Sequence, residues 1–226
     1  MAEKISKSQI DRLGDRLKKG NISEDDLRML DQYRRSYSEA YEAVVEKIRK
    51  DLSLAPTGRP AKSTISIAEK LRRESIRLTQ IQDIAGCRII VADIASQETV
   101  VKSLNELFKD ATVIDRRQQP SHGYRAVHVV VRYEEKLIEI QVRTALQQLW
   151  AELSEKFSDI FDPMVKYGGG DEFTRTVLIN QSSMIANEET LEKQVASDLR
   201  EDLDSVRQRM LESLRTILNN LEMLRK

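Results

Sequence analysis

Residues 123–144 constrain this chain more than any other stretch, because their side chains alternate with the period of a β-strand. Val127, Val129 and Val131 alternate with His128, Val130 and Arg132. A polar turn is expected at residues 134–136, followed by a second strand over 137–143. In that second strand Glu139, Gln141 and Arg143 fall on one face, and Ile138, Ile140 and Val142 on the other. An acid, an amide and a guanidinium in a row, beside a hairpin partner that carries Tyr124 and His128, describe a polar cleft. That face is where chemistry is expected.

The rest of the composition limits what such a cleft can serve. At 226 residues the chain can build one sizeable core with a helical appendage. Lys plus Arg equals Asp plus Glu at 37 each, so no global field draws nucleic acid or an anionic membrane. Any anion site must be a local cluster. No apolar run reaches the length of a membrane span, and the N-terminal residues lack a signal-peptide core, so a soluble cytoplasmic protein is expected. The single Cys87, in an Ile/Val-rich run, reads as a buried inert thiol rather than a nucleophile, and no disulfide can form within the chain.

Three zones separate by pattern. Residues 1–55 form an N-terminal helical region, with apolar residues at helical spacing from Leu27 to Ile48. Pro56, Gly58 and Pro60 mark a break. Residues 56–165 then interleave helices and strands: helices at Thr64–Arg73, 96–109 and 144–160, strands at 86–92 and 111–115, and the hairpin. That order predicts an α/β (α+β) fold, a mixed β-sheet core flanked by helices, with helical extensions at both ends. Residues 166–226 form the second extension. Its stripe Leu199, Leu203, Val206, Met210, Leu214, Ile217, Leu221 and Leu224 either packs on the core or zips with another helix. The glycines at 168–170 do not make a phosphate loop, because no strand precedes them and no Gly-Lys-Ser/Thr follows.

A second acid stands out. Asp83 lies just ahead of the first long strand, five residues before Arg88. A turn aspartate is the plain reading. Arg88 is harder to dismiss, since an arginine among Ile and Val strand residues needs an anionic or aromatic partner. Asp83 and Glu139 on neighbouring strands would suit Mg²⁺, which takes few protein oxygens and completes its shell with phosphate and water. Basic residues gather around these strands: Arg59, Lys62, Lys70, Arg72, Arg73, Arg77, Arg88, Arg116, Arg117 and Arg125. Several are simply solvated. Arg59 and Lys62, however, enter a helix that starts near Ser63, an arrangement suited to phosphate. Tyr124 follows a glycine, where its ring either stacks on a base or sits half-buried in the strand. His128 is either a structural histidine or part of the same polar face.

Taken together, these segments resemble the synthetase domain of the RelA/SpoT family, the alarmone (ppGpp) synthetases. The resemblance covers roughly residues 33–165 and rests on four motifs in order. They are Arg59 and Lys62 with Ser66 and Lys70; Asp83 through Arg88; Gly123, Tyr124 and His128; and Glu139 through Thr144 leading to Trp150 and Glu152. It implies a pyrophosphokinase that moves the β,γ-pyrophosphate of ATP to the ribose 3′-hydroxyl of GDP or GTP and releases AMP. It further implies that Asp83 and Glu139 hold Mg²⁺, with Glu139 as base. Arg59 and Arg88 would sandwich the adenine, and Lys62, Ser66 and Lys70 would meet the ATP phosphates. Tyr124 would stack on the acceptor base, with His128 and Gln141 lining that subsite and Arg125, Arg116 and Arg117 near it. His122 and His128 are the chain's two histidines and lie in the synthetase motifs, so no hydrolase centre is expected.

One departure bears on the acceptor. Family synthetases carry a lysine-rich run before the Gly-Tyr pair, whereas this chain has Asp115, Arg116, Arg117, Gln118, Gln119, Pro120, Ser121 and His122. In this it is similar to the small toxic synthetases of toxin–antitoxin systems. That branch implies adenine nucleotides or the 3′ end of tRNA as acceptor, an antitoxin protein as partner, and Arg116 and Arg117 on tRNA phosphates. Homo-oligomers through the helical termini are a further family expectation. A catalytically silent nucleotide or RNA binder is the competing class, and the retention of both Asp83 and Glu139 argues against it.

Overall fold

The structure, a computed structural model, describes residues 5–194 and 200–223; the side chains of Arg59, Arg200 and Glu201 lie outside that description. Within it the chain has a mixed α/β fold. A five-stranded sheet is formed by β1 (Thr57–Arg59), β2 (Ala85–Val91), β3 (Thr112–Asp115), β4 (Val127–Tyr133) and β5 (Lys136–Thr144). Its order is β1-β2-β5-β4-β3, so β2, which follows Asp83, and β5, which carries Glu139, are neighbours. β1 runs antiparallel to β2, with Arg59 opposite Gly86 and Thr57 opposite Arg88. The hairpin turn is two residues, Glu134 and Glu135, rather than three, with Glu134 at φ 51°, and Lys136 already belongs to β5.

The contacts divide the chain into two compact units. The first combines residues 1–89, 105–112 and 129–140. Here the N-terminal helical region resolves into α1 (Lys7–Lys19), α2 (Glu24–Arg35) and α3 (Ser38–Leu52), followed by α4 (Thr64–Arg73). Gly20 ends α1 in the left-handed region, and Ser23 with Asp26 starts α2 through a reciprocal capping box. Arg16 on α1 donates to Asp26 at 2.6 Å, tying the two helices together. Lys136, at the start of β5, donates to Ser36 at 2.7 Å and lies 4.5 Å from the centre of the Tyr37 ring.

The second unit combines residues 90–104, 113–128 and 141–226. It holds most of α5 (Ile94–Leu107) and all of α6 (Ala145–Ile160), α7 (Glu172–Gln194) and α8 (Arg200–Met223). Thr144 caps α6 through a capping box with Gln147. A core of Leu146, Trp150, Leu153 and Phe157 from α6 packs with Leu178 and Ile185 of α7 and with Leu211, Leu214, Leu218 and Leu221 of α8. The C-terminal stripe therefore packs on its own core, though in a shifted register. Leu211 and Leu218 are buried while Val206 is 37% exposed, and Leu199 and Leu224 lie outside the described residues. Arg207 fastens α8 to α7 through Glu188 (3.1 Å) and Glu192 (2.9 Å). Gly168 closes a single 3₁₀ turn ahead of α7, consistent with a turn rather than a phosphate loop.

No described helix is long and apolar enough to cross a membrane.

Candidate active site

The first unit carries the acids and the lysines. Asp83 sits in a turn before β2, 18% exposed, with one carboxylate oxygen 2.6 Å from Lys62 Nζ and the other 2.9 Å from Lys70 Nζ. Burial pushes its carboxyl up, but the two lysines outweigh that and hold it at about 2. Asp83 is thus ionised at neutral pH and clamped from two sides. The clamp is built by backbone as well: the Lys62 N–H donates to the Ile84 carbonyl at 2.6 Å, and Arg34 Nε donates to the Lys62 carbonyl at 2.6 Å. Ser63 caps α4, accepting from the Ser66 N–H at 3.2 Å and donating to the Ser66 hydroxyl at 2.8 Å. Lys70 stands one helical turn further along, which brings its ammonium back to Asp83.

Glu139 is 9% exposed on β5. A Cβ added to Gly86 would lie 2.7 Å from the Glu139 carbonyl oxygen, so glycine is what lets β2 come this close to that residue. The neighbouring Cys87 thiol is pushed up to about 12, chiefly by burial, with Arg49 pulling the other way and Glu139 adding to it. It is an inert buried thiol at neutral pH, as its sequence context predicts. Arg88 is half-buried on β2, and Arg59 occupies the register position opposite Gly86.

Among the described residues, no group of three or more His, Cys, Asp or Glu is arranged to hold a metal. Asp83 is a partly buried carboxylate kept ionised by its two lysines, and Glu139 lies on β5, the strand that neighbours β2.

The second unit carries the aromatic and amide groups. The Tyr124 hydroxyl is 2.8 Å from His128 Nε2, and Arg143 Nη2 donates to it at 3.0 Å. The same Nη2 donates to Gln141 Oε1 at 2.9 Å, while Nη1 donates to Gln148 Oε1 at 3.0 Å. The guanidinium carbon lies 5.1 Å from the centre of the Tyr124 ring. Gly123, at φ 89°, positions this tyrosine: a Cβ there would meet Trp150 at 2.7 Å. Ser182 of α7 donates to the Gly123 carbonyl at 2.6 Å, and Trp150 Nε1 donates to the Leu178 carbonyl at 2.8 Å. The tryptophan of the fourth motif is the wall behind the loop that carries Tyr124.

The basic residues of this unit differ in their commitments. Arg116 is exposed. Arg117 pairs with Asp115 at 2.7 Å and donates to Gln97 at 3.2 Å. Arg125 donates to Ser182 at 3.0 Å and to the Arg117 carbonyl at 2.7 Å. A phosphate would have to compete for the last two. Sequence reasoning named Lys62 and Lys70 but not their grip on Asp83, and it placed Arg143 on the polar face without giving it a task.

Residues 58–158 match the family model described as a region found in RelA/SpoT proteins. That stretch is similar to the RelA/SpoT region. An uncharacterized protein of Mycobacterium bovis is 38% identical over 111 residues, 47% of this chain and 41% of its own length. The GTP pyrophosphokinase YwaC of Bacillus subtilis is 35% identical over 113 residues, 42% of this chain and 53% of its own. The chain therefore spans about half or less of the length of these relatives. The crystal structure of the small alarmone synthetase 1 from Bacillus subtilis is matched over its whole length and 79% of this chain, with 27% identity and a TM-score of 0.56. The matched region contains every candidate residue described above, from Arg59 to Trp150.

Proposed function

We propose that the protein is an ATP-dependent pyrophosphokinase that transfers the β,γ-pyrophosphate of ATP to the 3′-hydroxyl of GDP or GTP, making (p)ppGpp. The observation that carries this reading is the RelA/SpoT match over residues 58–158, which includes the Lys-clamped Asp83 and the buried Glu139. A solved small alarmone synthetase shares that region at 27% identity over its full length.

Transfer forms a bond from the acceptor 3′-oxygen to the β-phosphorus and breaks the bond from that phosphorus to the oxygen bridging it to the α-phosphate, so AMP leaves. Glu139 takes the proton of the attacking hydroxyl. Lys62 and Lys70, with Ser66 nearby, exchange part of their hold on Asp83 for ATP phosphate oxygens, which neutralises the charge that transfer moves. Arg59 and Arg88 hold the adenine. Tyr124 stacks on the acceptor base, and His128 and Gln141 contact its edge. Asp83 and Glu139 would hold a Mg²⁺ ion, which would supply charge neutralisation at the phosphates.

The replacement of the family's lysine-rich run by residues 115–122 supports a second acceptor, the 3′ end of tRNA, with Arg116 meeting its phosphates. A partner antitoxin would accompany that activity. The test is transfer of label from γ-labelled ATP with Mg²⁺, offering GDP, GTP, ATP and deacylated tRNA in parallel. Label on GDP or GTP is expected. Label on tRNA alone selects the second acceptor, and label on none overturns the enzyme reading in favour of a silent binder. Glu139→Gln, folded by circular dichroism, should lose at least about 100-fold in turnover.

A further inference from the structure

The buried face of α7 runs through Leu178, Ser182 and Ile185, spaced four and three residues apart. Ser182 thus holds a position where a helix ordinarily presents an apolar side chain to its core, and it is 3% exposed. A hydroxyl is kept in such a place at a cost unless its hydrogen-bonding capacity is used. Here it is used twice. Arg125 Nε donates to the Ser182 hydroxyl at 3.0 Å, and that hydroxyl donates to the Gly123 carbonyl at 2.6 Å. Both directions are fixed by chemistry, because a guanidinium only donates and a carbonyl only accepts.

These two partners are the chain neighbours of Tyr124. One hydroxyl on α7 therefore fastens the loop on either side of the tyrosine. Further contacts tighten the same clasp. Gly123, at φ 89°, comes so near α7 that an added Cβ would lie 3.2 Å from Ser182 Cβ. Arg125 Nη1 donates to the Arg117 carbonyl at 2.7 Å, which closes the loop on itself. One helical turn before Ser182, the Leu178 carbonyl accepts from Trp150 Nε1 at 2.8 Å, so α7 is also tied to the wall behind the loop. All of these residues belong to the second unit. Ser182 stands outside residues 58–158, so the family match gives it no role.

We propose that Ser182 is a positioning residue of the acceptor subsite: its hydroxyl holds Gly123 and Arg125 and so presets Tyr124, without itself touching substrate. This rests on the assignment of Tyr124 to the acceptor base. An aromatic face held in place before the base arrives needs no ordering on binding, and the advantage falls on the acceptor rather than on ATP.

The chain's single tryptophan, Trp150, lies against Gly123 and reports on the loop without turnover. In full-length Ser182→Ala, acrylamide quenching of its fluorescence should rise about twofold or more, because the loop loses a buried pair of hydrogen bonds and opens more often. Ser183→Ala is the control. That neighbouring hydroxyl is exposed and donates to the Ile179 carbonyl of its own helix at 3.0 Å, so the same chemical change should leave quenching as in wild type. The second arm is kinetic. Ser182→Ala should raise the acceptor KM roughly tenfold while the ATP KM stays within about twofold, a split that a general loss of stability would not produce. Unchanged quenching, an unchanged acceptor KM, or equal rises in both KM values overturns the proposal. If Ser182→Ala does not fold, Ser182→Cys, whose thiol donates and accepts only weakly, carries both arms with the same expectations. Absence of transfer in the wild type overturns the pyrophosphokinase reading instead, and the quenching arm then decides by itself whether Ser182 holds the loop.

Discussion

At Asp83, burial and charge pull the carboxyl in opposite directions, and charge prevails. Its folded value of about 2 lies below the ordinary 3.8, so folding favours the ionised form. The corresponding stability is present above about pH 3.8 and is lost as pH falls through about 2. The displacement corresponds to about 2 kcal/mol, with an 18% exposed side chain leaving most of it unscreened. In Asp83→Asn, Lys62 and Lys70 would face each other without their counter-ion. This variant should be less stable than wild type near neutral pH and should show a flatter stability loss between about pH 4 and 2 in an acid titration followed by circular dichroism. An unchanged acid profile would mean that the clamp contributes nothing to the fold. The same carboxylate is proposed to serve the phosphates, so Asp83→Asn should also abolish transfer. Only the acid itself was legible in the sequence. The clamp was not, because Lys62 and Lys70 reach it from 21 and 13 residues away through a loop and a helix turn that periodicity does not describe.

Elements with a distinctive period were legible, and those defined by packing were not. β5 was readable because its apolar and polar residues alternate without exception from Ile138 to Arg143, and α6 because Thr144 and Gln147 announce its start. The break between α2 and α3 at Ser36 and Tyr37 has no glycine, proline or side-chain cap to mark it, so the sequence reads through it. α8 shows the limit most clearly. Helical spacing supports two overlapping stripes, one through Val206, Met210 and Ile217 and one through Leu211 and Leu218, both sharing Leu214 and Leu221. Only the α6 surface opposite selects the second. This makes a paired prediction. Leu214→Ala, 2% exposed in the core, should cost about 3 kcal/mol and lower the melting temperature by roughly 6–12 °C. Val206→Ala, at 37% exposure, should stay within about 0.5 kcal/mol of wild type. Comparable losses from the two would place the buried stripe where the first pattern has it.

Across the whole molecule, the residues proposed for the two substrates fall into different compact units. Lys62, Ser66, Lys70, Asp83 and Arg88 belong to the first, and Tyr124, His128 and Gln141 to the second. The division is not one of sequence halves, since each unit is assembled from three separate stretches and the strands β4 and β5 contribute to both. A single strand, β5, thereby supplies Glu139 to one set and Gln141 to the other, two residues apart on one face. On these assignments the Michaelis constants should separate along the same division. Lys70→Gln removes one cation from the phosphate set and should raise the ATP KM about tenfold or more, leaving the acceptor KM within about twofold. Tyr124→Ala removes the stacking face and should do the reverse, with a loss on the order of 1–3 kcal/mol in acceptor binding. Steady-state kinetics with each substrate varied at saturation of the other reads both. A Lys70→Gln variant that weakened the acceptor as much as ATP would show that the lysine serves the acceptor or the shared chemistry. Tyr124 would then need testing against the acceptor alone, and an unchanged acceptor KM in Tyr124→Ala would remove it from that subsite.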